Sequence, residues 1–475
     1  MSTTLPANGR HSVISRALPQ EILDDITDIA AGICFESLLS LSLSSRRFVE
    51  RSQRHIFREI KISRERHVSQ LLALLDGKPQ LARHARFLWL CIDEELCDFQ
   101  RVLKDVSRVA GQLFGLKRLR LEAGLGLRRN EHNPFCRWHL RQLASVCNAF
   151  LRNLASLAIE EVGIDAYIDF TVNPIRRLPI STLKVGPSDP TSLTNHKELQ
   201  DEEGEIVTTG WKIRHFECDR NSSAALFLVG ICSTSVYQTL VVLDFKIEFL
   251  PQHEAAWSLI GALKDSPALE VLVLCYYCWH DYSGVSHSLL ERRPLPNLPS
   301  LLCLRLIEHT RGYRTSGITA RVLPSFVTAF FAAIVSGNPR TSLEVVDIKH
   351  LISDIENTEE YEAILKCIPF NANYRSFRGM TWRGTDDLLT DNCLLPRLRA
   401  LRINFGCIDD PAKMKEYGEI CQAIRRRCGA EVRALLPKSV ERVPLVDFGV
   451  GLDETSEFSA VSNIYHTSSP ILATW

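Results

Sequence analysis

LEVLVL, residues 269–274, places apolar side chains at its first, fourth and sixth positions. Successive side chains of a strand point to opposite faces, so the closing L-V-L suits a strand with at least one covered face. The same apolar-x-x-apolar-x-apolar pattern returns along the chain. It stands in ARFLWL (85–90), LKRLRL (116–121), LASLAI (154–159), ISTLKV (180–185) and IRHFEC (213–218). It continues in LVVLDF (240–245), LLCLRL (301–306), LEVVDI (343–348) and LRALRI (398–403), with YRSFRGM (374–380) as a weak further copy. With that copy counted, steps run from about 24 to 42 residues, a period typical of stacked repeats.

Helical periodicity lies between many of these windows. RHVSQLLALLDG (66–77), CDFQRVLKDVSRVAGQLFG (97–115), WHLRQLASVCNAFLRN (138–153) and EAAWSLIGALKD (254–265) space apolar residues by three and four. PSFVTAFFAAIVSG (324–337), TEEYEAILKCI (358–368) and PAKMKEYGEICQAIRRRCG (411–429) do the same. Strand, loop and helix in alternation imply a parallel sheet backed by helices. The windows resemble degenerate leucine-rich repeats, in which the asparagine that usually follows the strand is mostly absent. That resemblance implies an α/β solenoid, a curved parallel sheet whose concave side carries the residues between the leucines. Those residues are Phe87, Trp89, Arg118, Arg120, Lys184, His215, Glu217, Asp244, Arg305, Asp347 and Arg402. Mixed charge with aromatic groups suits a protein partner.

The N-terminal segment reads differently. LPQEILDDITDI (18–29) opens on Leu18-Pro19, and Pro suits a first helical turn. Ile22, Ile26, Ile29 and Ile33 recur at helical spacing, with Leu23 widening the stripe. SLLSLSLSSRRF (37–48) alternates leucine with serine, which alone argues for a strand. Taken as a helix, Leu38, Leu39, Leu41, Leu43 and Phe48 fan over more than half its circumference, beyond the stripe one small core covers. A helix here therefore carries surplus apolar surface that a second protein could cover.

Together, LPQEILDDITDIA and SLLSLSLSSRRFVERSQRHIFREIKI (to residue 62) resemble an F-box. Leu18, Pro19, Ile22, Ile26, Leu38, Leu39, Leu41, Leu43, Arg46 and Phe48 match that pattern in order. The AAGICFE connector is longer than usual, and Ser44 stands where an aliphatic residue is common. The resemblance implies a three-helix domain that binds a Skp-type linker protein and, through it, a cullin scaffold. The expected organisation is a tail (1–14), the F-box (15–62), the repeat body (63–435) with polar loops at 186–210 and 280–297, and a cap and tail (436–475). The expected role is a non-catalytic adaptor presenting an unidentified protein substrate to a cullin–RING ubiquitin ligase. A repeat scaffold without a ligase, and an α/β enzyme, are the alternatives.

Composition agrees with an intracellular protein of the cytoplasm or nucleus. Lys+Arg and Asp+Glu number 56 each, so net charge gives no reason to expect nucleic acid or a membrane surface as partner. Fifteen irregularly spaced cysteines do not form a disulfide framework. Cys275-x-x-Cys278 with His280 is the most metal-like stretch, but no second pair follows. No phosphate loop, nucleophile elbow or H-E-x-x-H helix occurs; HEAAW (253–257) lacks the second histidine. No metal or cofactor is expected.

Overall fold

A computed structural model gives the fold. It describes residues 18–92, 99–123, 159–164, 180–186, 212–219, 224–225, 236–248, 250–278, 296–311, 342–353, 382–408, 419, 423, 426–427 and 429–447. The chain forms two compact units, the first ending at Asp189 with residues 207–211 added.

The first unit opens with three helices, α1 (Gln20–Ile33), α2 (Phe35–Ser44) and α3 (Arg46–Ile56). Strand β1 (Glu59–Ile62) follows, then helix α4 (Glu65–Gly77), a 3-10 turn (Pro79–His84) and β2 (Phe87–Ile92). Helix α5 (Phe99–Gln112), β3 (Arg118–Ala123), β4 (Glu161–Ile164) and β5 (Thr182–Val185) complete it. All five strands pair in parallel, each with its neighbour in sequence. Val68, Leu71, Leu72 and Leu75 of α4 are buried, as are Val106, Val109 and Ala110 of α5 and Leu113 just after it. At the rim of this pair Asp76 accepts from Arg108 at 3.2 Å and from Gln112 at 3.1 Å.

The second unit holds β6 (His215–Asp219), β7 (Val242–Ile247), helix α6 (Leu250–Ala262), β8 (Val271–Cys278) and β9 (Cys303–Arg311). Then come β10 (Val345–Ser353), helix α7 (Trp382–Leu389), β11 (Ala400–Ile408), helix α8 (Pro437–Arg442) and β12 (Leu445–Asp447). Again every strand pairs in parallel with the next. The parallel sheets expected from the repeated windows are therefore present, in strict sequence order within each unit.

Each strand starts at the third position of its window. The first, fourth and sixth positions are the core: Leu269, Leu272 and Leu274 in one repeat, Leu301, Leu304 and Leu306 in the next. A single carbonyl sets each step. The oxygen of the second window residue accepts from two consecutive N–H groups of the following window. Thus Glu270 O takes Leu302 N at 2.8 Å and Cys303 N at 2.9 Å, and Leu302 O takes Glu344 N and Val345 N. The same double acceptance occurs at Arg58, Arg86, Lys117, Glu160, Arg214, Val241 and Glu344. At the last step Pro444 has no N–H, and Arg399 O receives only Leu445 N.

Two windows differ from expectation. LASLAI was placed five residues early: the strand lies in IEEVGI (159–164), where Ile159, Val162 and Ile164 are buried. FREIKI (57–62) forms the first repeat, so β1 belongs to the sheet although it closes the F-box-like segment. YRSFRGM, the helical stretches at 138–153, 324–337 and 358–368, most of 411–429, most of both polar loops and both tails lie outside the described residues. The short cap expected after residue 436 includes α8 and β12.

Helix α6 covers the leucine face. His253 stacks on Trp257 with centroids 4.2 Å apart, and its Nδ1 is hydrogen-bonded to the Tyr276 hydroxyl of β8 at 3.3 Å. Near the C-terminus Asp386 of α7 is buried and starts α8. Its Oδ1 accepts from Ser439 N at 2.7 Å and Ser439 Oγ at 2.6 Å, and its Oδ2 from Lys438 N at 3.0 Å. Asp386→Asn places an amide donor against one of these backbone donors. The expected cost is about 1–3 kcal/mol, the penalty for an unpaired buried donor. Urea unfolding should show it, with hydrogen exchange rising selectively over residues 437–447.

Candidate functional site

The leucine-serine zigzag is a helix. In α2 the serine hydroxyls return to the helix's own backbone: Ser40 to Glu36 O at 2.9 Å, Ser42 to Leu39 O at 2.7 Å and Ser44 to Leu41 O at 2.8 Å. This satisfies each hydroxyl without a strand neighbour. Ser45 ends the run with extended φ of −157° and caps α3, its side chain accepting from Arg47 N.

The three helices face inward with few large groups. Leu23, Thr27 and Ala30 of α1, Leu38 of α2, and Phe48 and Ser52 of α3 are buried. Thr27 is tolerated there because its hydroxyl donates to Leu23 O at 2.7 Å. Polar clamps join α1 to α3. Asp28 accepts from Arg51 Nε at 2.7 Å and from Arg51 Nη2, and its Oδ1 is 2.7 Å from His55 Nε2. The Arg51 guanidinium holds the Asp28 carboxyl well below the usual carboxylate range, with His55 adding to the effect. Gln20 and Arg47 exchange a second, reciprocal pair of hydrogen bonds.

The isoleucine stripe faces out. Ile22, Ile26, Ile29 and Ile33 are all exposed, together with Phe35, Leu39 and Leu43; Ile33 is 73% exposed and Leu43 87%. Of the proposed docking residues, Leu38 and Phe48 are core, Leu18 and Leu41 are half-buried, and Pro19 and Arg46 are exposed. Phe35, absent from the residues singled out in the sequence, joins the exposed set. Its four-residue spacing from Leu39 and Leu43, which puts all three on one side of α2, was the available signal.

On both units the residues between the leucines share one sheet face. In the first unit, register aligns Lys61, Trp89, Arg120, Gly163 and Lys184, with Glu59, Phe87, Arg118, Glu161 and Thr182 in the row beside them. The cations sit over aromatic rings. Lys61 Nζ is 3.6 Å and Arg120 Cζ 4.8 Å from the Trp89 centroid, while Arg118 Cζ is 5.5 Å from that of Phe87. Lys184 pairs with Glu161 at 3.3 Å, and Arg120 with Glu122 at 3.5 Å.

In the second unit one row reads Glu217, Asp244, Val273, Arg305, Asp347, Arg402 and Asp447. Arg305 Nε donates to Asp347 at 2.9 Å, Arg402 Nε to Asp447 at 3.1 Å, and Lys246 Nζ reaches Glu217 at 3.2 Å and Asp219 at 3.3 Å. His215 and Asp347 lie on this face but are buried, 3% and 1% exposed; the other residues singled out on it are half-buried. Asp219, Lys246 and Lys349 were missed because the window ended too soon, and Lys61 because FREIKI was not among the expected repeats. The alternation continues one outward position further, as in D-F-K-I at 244–247.

The Asp244 side chain has no hydrogen bond or ion pair among the described residues. Burial pushes its carboxyl up to about 7, and neighbouring Glu217 adds to the rise. The Cys275 thiol is pushed up to about 12 and that of Cys303 to about 11, again chiefly by burial. Both stay neutral thiols near pH 7. Cys34, Cys91, Cys218, Cys275, Cys303 and Cys393 form no disulfide among the described residues, and His280 lies outside them. Among the described residues no helix is long and apolar enough to cross a membrane.

The Asp244 shift has a signed consequence. In the native state this carboxyl keeps a proton that the unfolded chain releases near pH 4. The native state is therefore penalised progressively as pH rises from about 4 to about 7. Asp244→Asn removes that penalty. Urea unfolding should find the variant more stable than the wild type at pH 8, with a gap that closes towards pH 4. No protein-family model matches the chain and no curated protein matches it, so its surfaces are interpreted from their own chemistry and the sequence pattern.

Proposed function

We propose that this chain is a substrate-recognition adaptor of a cullin–RING ubiquitin ligase, acting in the cytoplasm or nucleus. Helices α1–α3 dock a Skp-type linker protein, and the linker joins them to the cullin. The body is a leucine-rich-repeat-like α/β solenoid whose charged sheet face holds a protein substrate. The adaptor performs no chemistry; it holds one protein near the machinery that modifies it.

The observation that carries this proposal is the exposed apolar seam of α1 and α2. Seven large apolar side chains, from Ile22 to Leu43, stand exposed within 22 residues. Large apolar side chains left exposed together on neighbouring helices mark an interaction site. It coincides with the segment whose sequence resembles an F-box, including Ile22, Ile26, Leu39 and Leu43. The polar clamps of Asp28 and Gln20 hold the helices together on the opposite side, which leaves the seam available.

Capture of a purified Skp-type protein tests this directly. Full-length chain should retain it, and a chain lacking residues 1–60 should not; equal retention would defeat the adaptor assignment and favour a repeat scaffold. Ile33→Glu and Leu43→Glu alter side chains that contribute little to the core. Each should weaken linker binding at least tenfold while leaving the urea-unfolding midpoint within error of the wild type.

A further inference from the structure

The charges on the second sheet face nearly cancel in local pairs, and the remainder is informative. Lys246 takes Glu217 and Asp219, Arg305 takes Asp347, and Arg402 takes Asp447. Among the described side chains two half-buried groups are left over. The side chains of Asp244 on β7 and Lys349 on β10 make no hydrogen bond or ion pair there. Burial acts on both, raising the Asp244 carboxyl and lowering the Lys349 ammonium. A buried charge without a partner is costly, so each group is better accommodated with an opposite charge beside it.

Register fixes their separation. β7 and β10 are three strands apart, and Lys349 lies two residues further along its strand than the position level with Asp244. At about 4.8 Å between strands and about 3.3 Å per residue, the two positions are roughly 16 Å apart. Val273, Cys275 and Ile307 form an apolar floor between them, beside the internally matched Arg305–Asp347 pair. Within that pair, Asp347 Oδ1 is buried and accepts no hydrogen bond among the described residues.

We propose that this face binds an extended peptide of a partner protein, lying across the strands, with a basic side chain on Asp244 and an acidic side chain on Lys349. An extended chain covers roughly 16 Å in four to five residues. The partner's signature is thus one Lys or Arg and one Asp or Glu, four or five positions apart, with small or apolar residues between. This deepens the adaptor proposal by naming the chemistry of its substrate segment. It rests on the body being the partner-binding part and does not involve the docking helices.

Binding of the basic side chain is coupled to a proton. The groups facing Asp244 are Glu217 and Asp219 from β6, Lys246 on its own strand, Cys275 from β8 and Arg305 from β9. Cys275 stays neutral, Lys246 and Arg305 stay charged, and a ligand cation favours the ionised carboxylate. Near pH 7 complex formation should therefore release protons from Asp244.

The test is a peptide array on an alanine-glycine background, each peptide carrying one Arg and one Glu one to eight positions apart, in both orders. It is probed with the full-length chain and no linker protein, so a blank array leaves linker capture untouched. Separations of four or five in one order should bind at least tenfold better than separations of one or eight. In calorimetry of the best peptide, Asp244→Asn and Lys349→Met should each weaken binding at least tenfold in variants whose unfolding midpoints are not lowered. The buffer-dependent heat that reports proton release should disappear in Asp244→Asn. Binding that ignores the separation, or survives both substitutions, would overturn the proposal. So would a blank array accompanied by loss of self-association in Asp244→Asn, which would make the face a contact between copies of this chain.

Discussion

At the entrance to each strand, one carbonyl accepts two successive N–H groups of the next repeat, and the side-chain arrangement depends on that junction. From Arg58 to Glu160 in the first unit, and from Arg214 to Glu344 in the second, the acceptor is the second residue of the repeat. It fixes which residue of the next strand stands level with which. A slip of one residue would turn every leucine to the open face and every charge into the core. Windows separated by very different lengths of sequence build the same ladder.

The two units use this common frame for different surface chemistry. On the first, cations lie over aromatic rings, and Lys61 and Arg120 both approach Trp89. An aromatic ring attracts a cation through its face without consuming the cation's hydrogen-bond donors. On the second, cations lie between carboxylates on neighbouring strands, so most charge is neutralised within the protein. The leucine face does not distinguish the units; the intervening positions do. The three N-terminal helices follow a third plan: Thr27, Ala30 and Ser52 turn inward beside Leu23, Leu38 and Phe48, while seven large apolar side chains turn outward.

The sheet was legible because period-two alternation and the fixed apolar window are both local. The window at 154–159 failed because IEEVGI follows it directly with the same pattern, and only pairing with Arg118–Leu121 selects the later copy. The helix over Phe35–Ser44 was legible only by counting leucines around its circumference, since its alternation mimics a strand until the serines are given backbone acceptors; the break at Ser45, which puts Phe48 on α3, was not legible. The outward turn of Ile22, Ile26, Ile29 and Ile33 was not legible. Spacing identifies an apolar stripe but not its orientation, and the bond from Thr27 to Leu23 O, with the small Ala30 beside it, lets the other side pack. Asp244 and Lys349 emerge as unmatched only after the remaining charges have found partners across strands.

The junction between α3 and β1 is two residues long. Phe57 and Arg58 close the helix through Gln53 O and His55 O, and the carbonyl of Arg58 is already the first acceptor of the sheet. Arg83 adds a brace from the 3-10 turn to Glu50 of α3 at 3.0 Å. No slack separates the apolar seam from the first repeat. A force or rotation applied at α1–α3 is delivered to β1 and β2 as to the short arm of a lever. Lengthening Phe57–Arg58 with flexible residues would turn that rigid arm into a tether, with both surfaces unchanged and only their orientation lost.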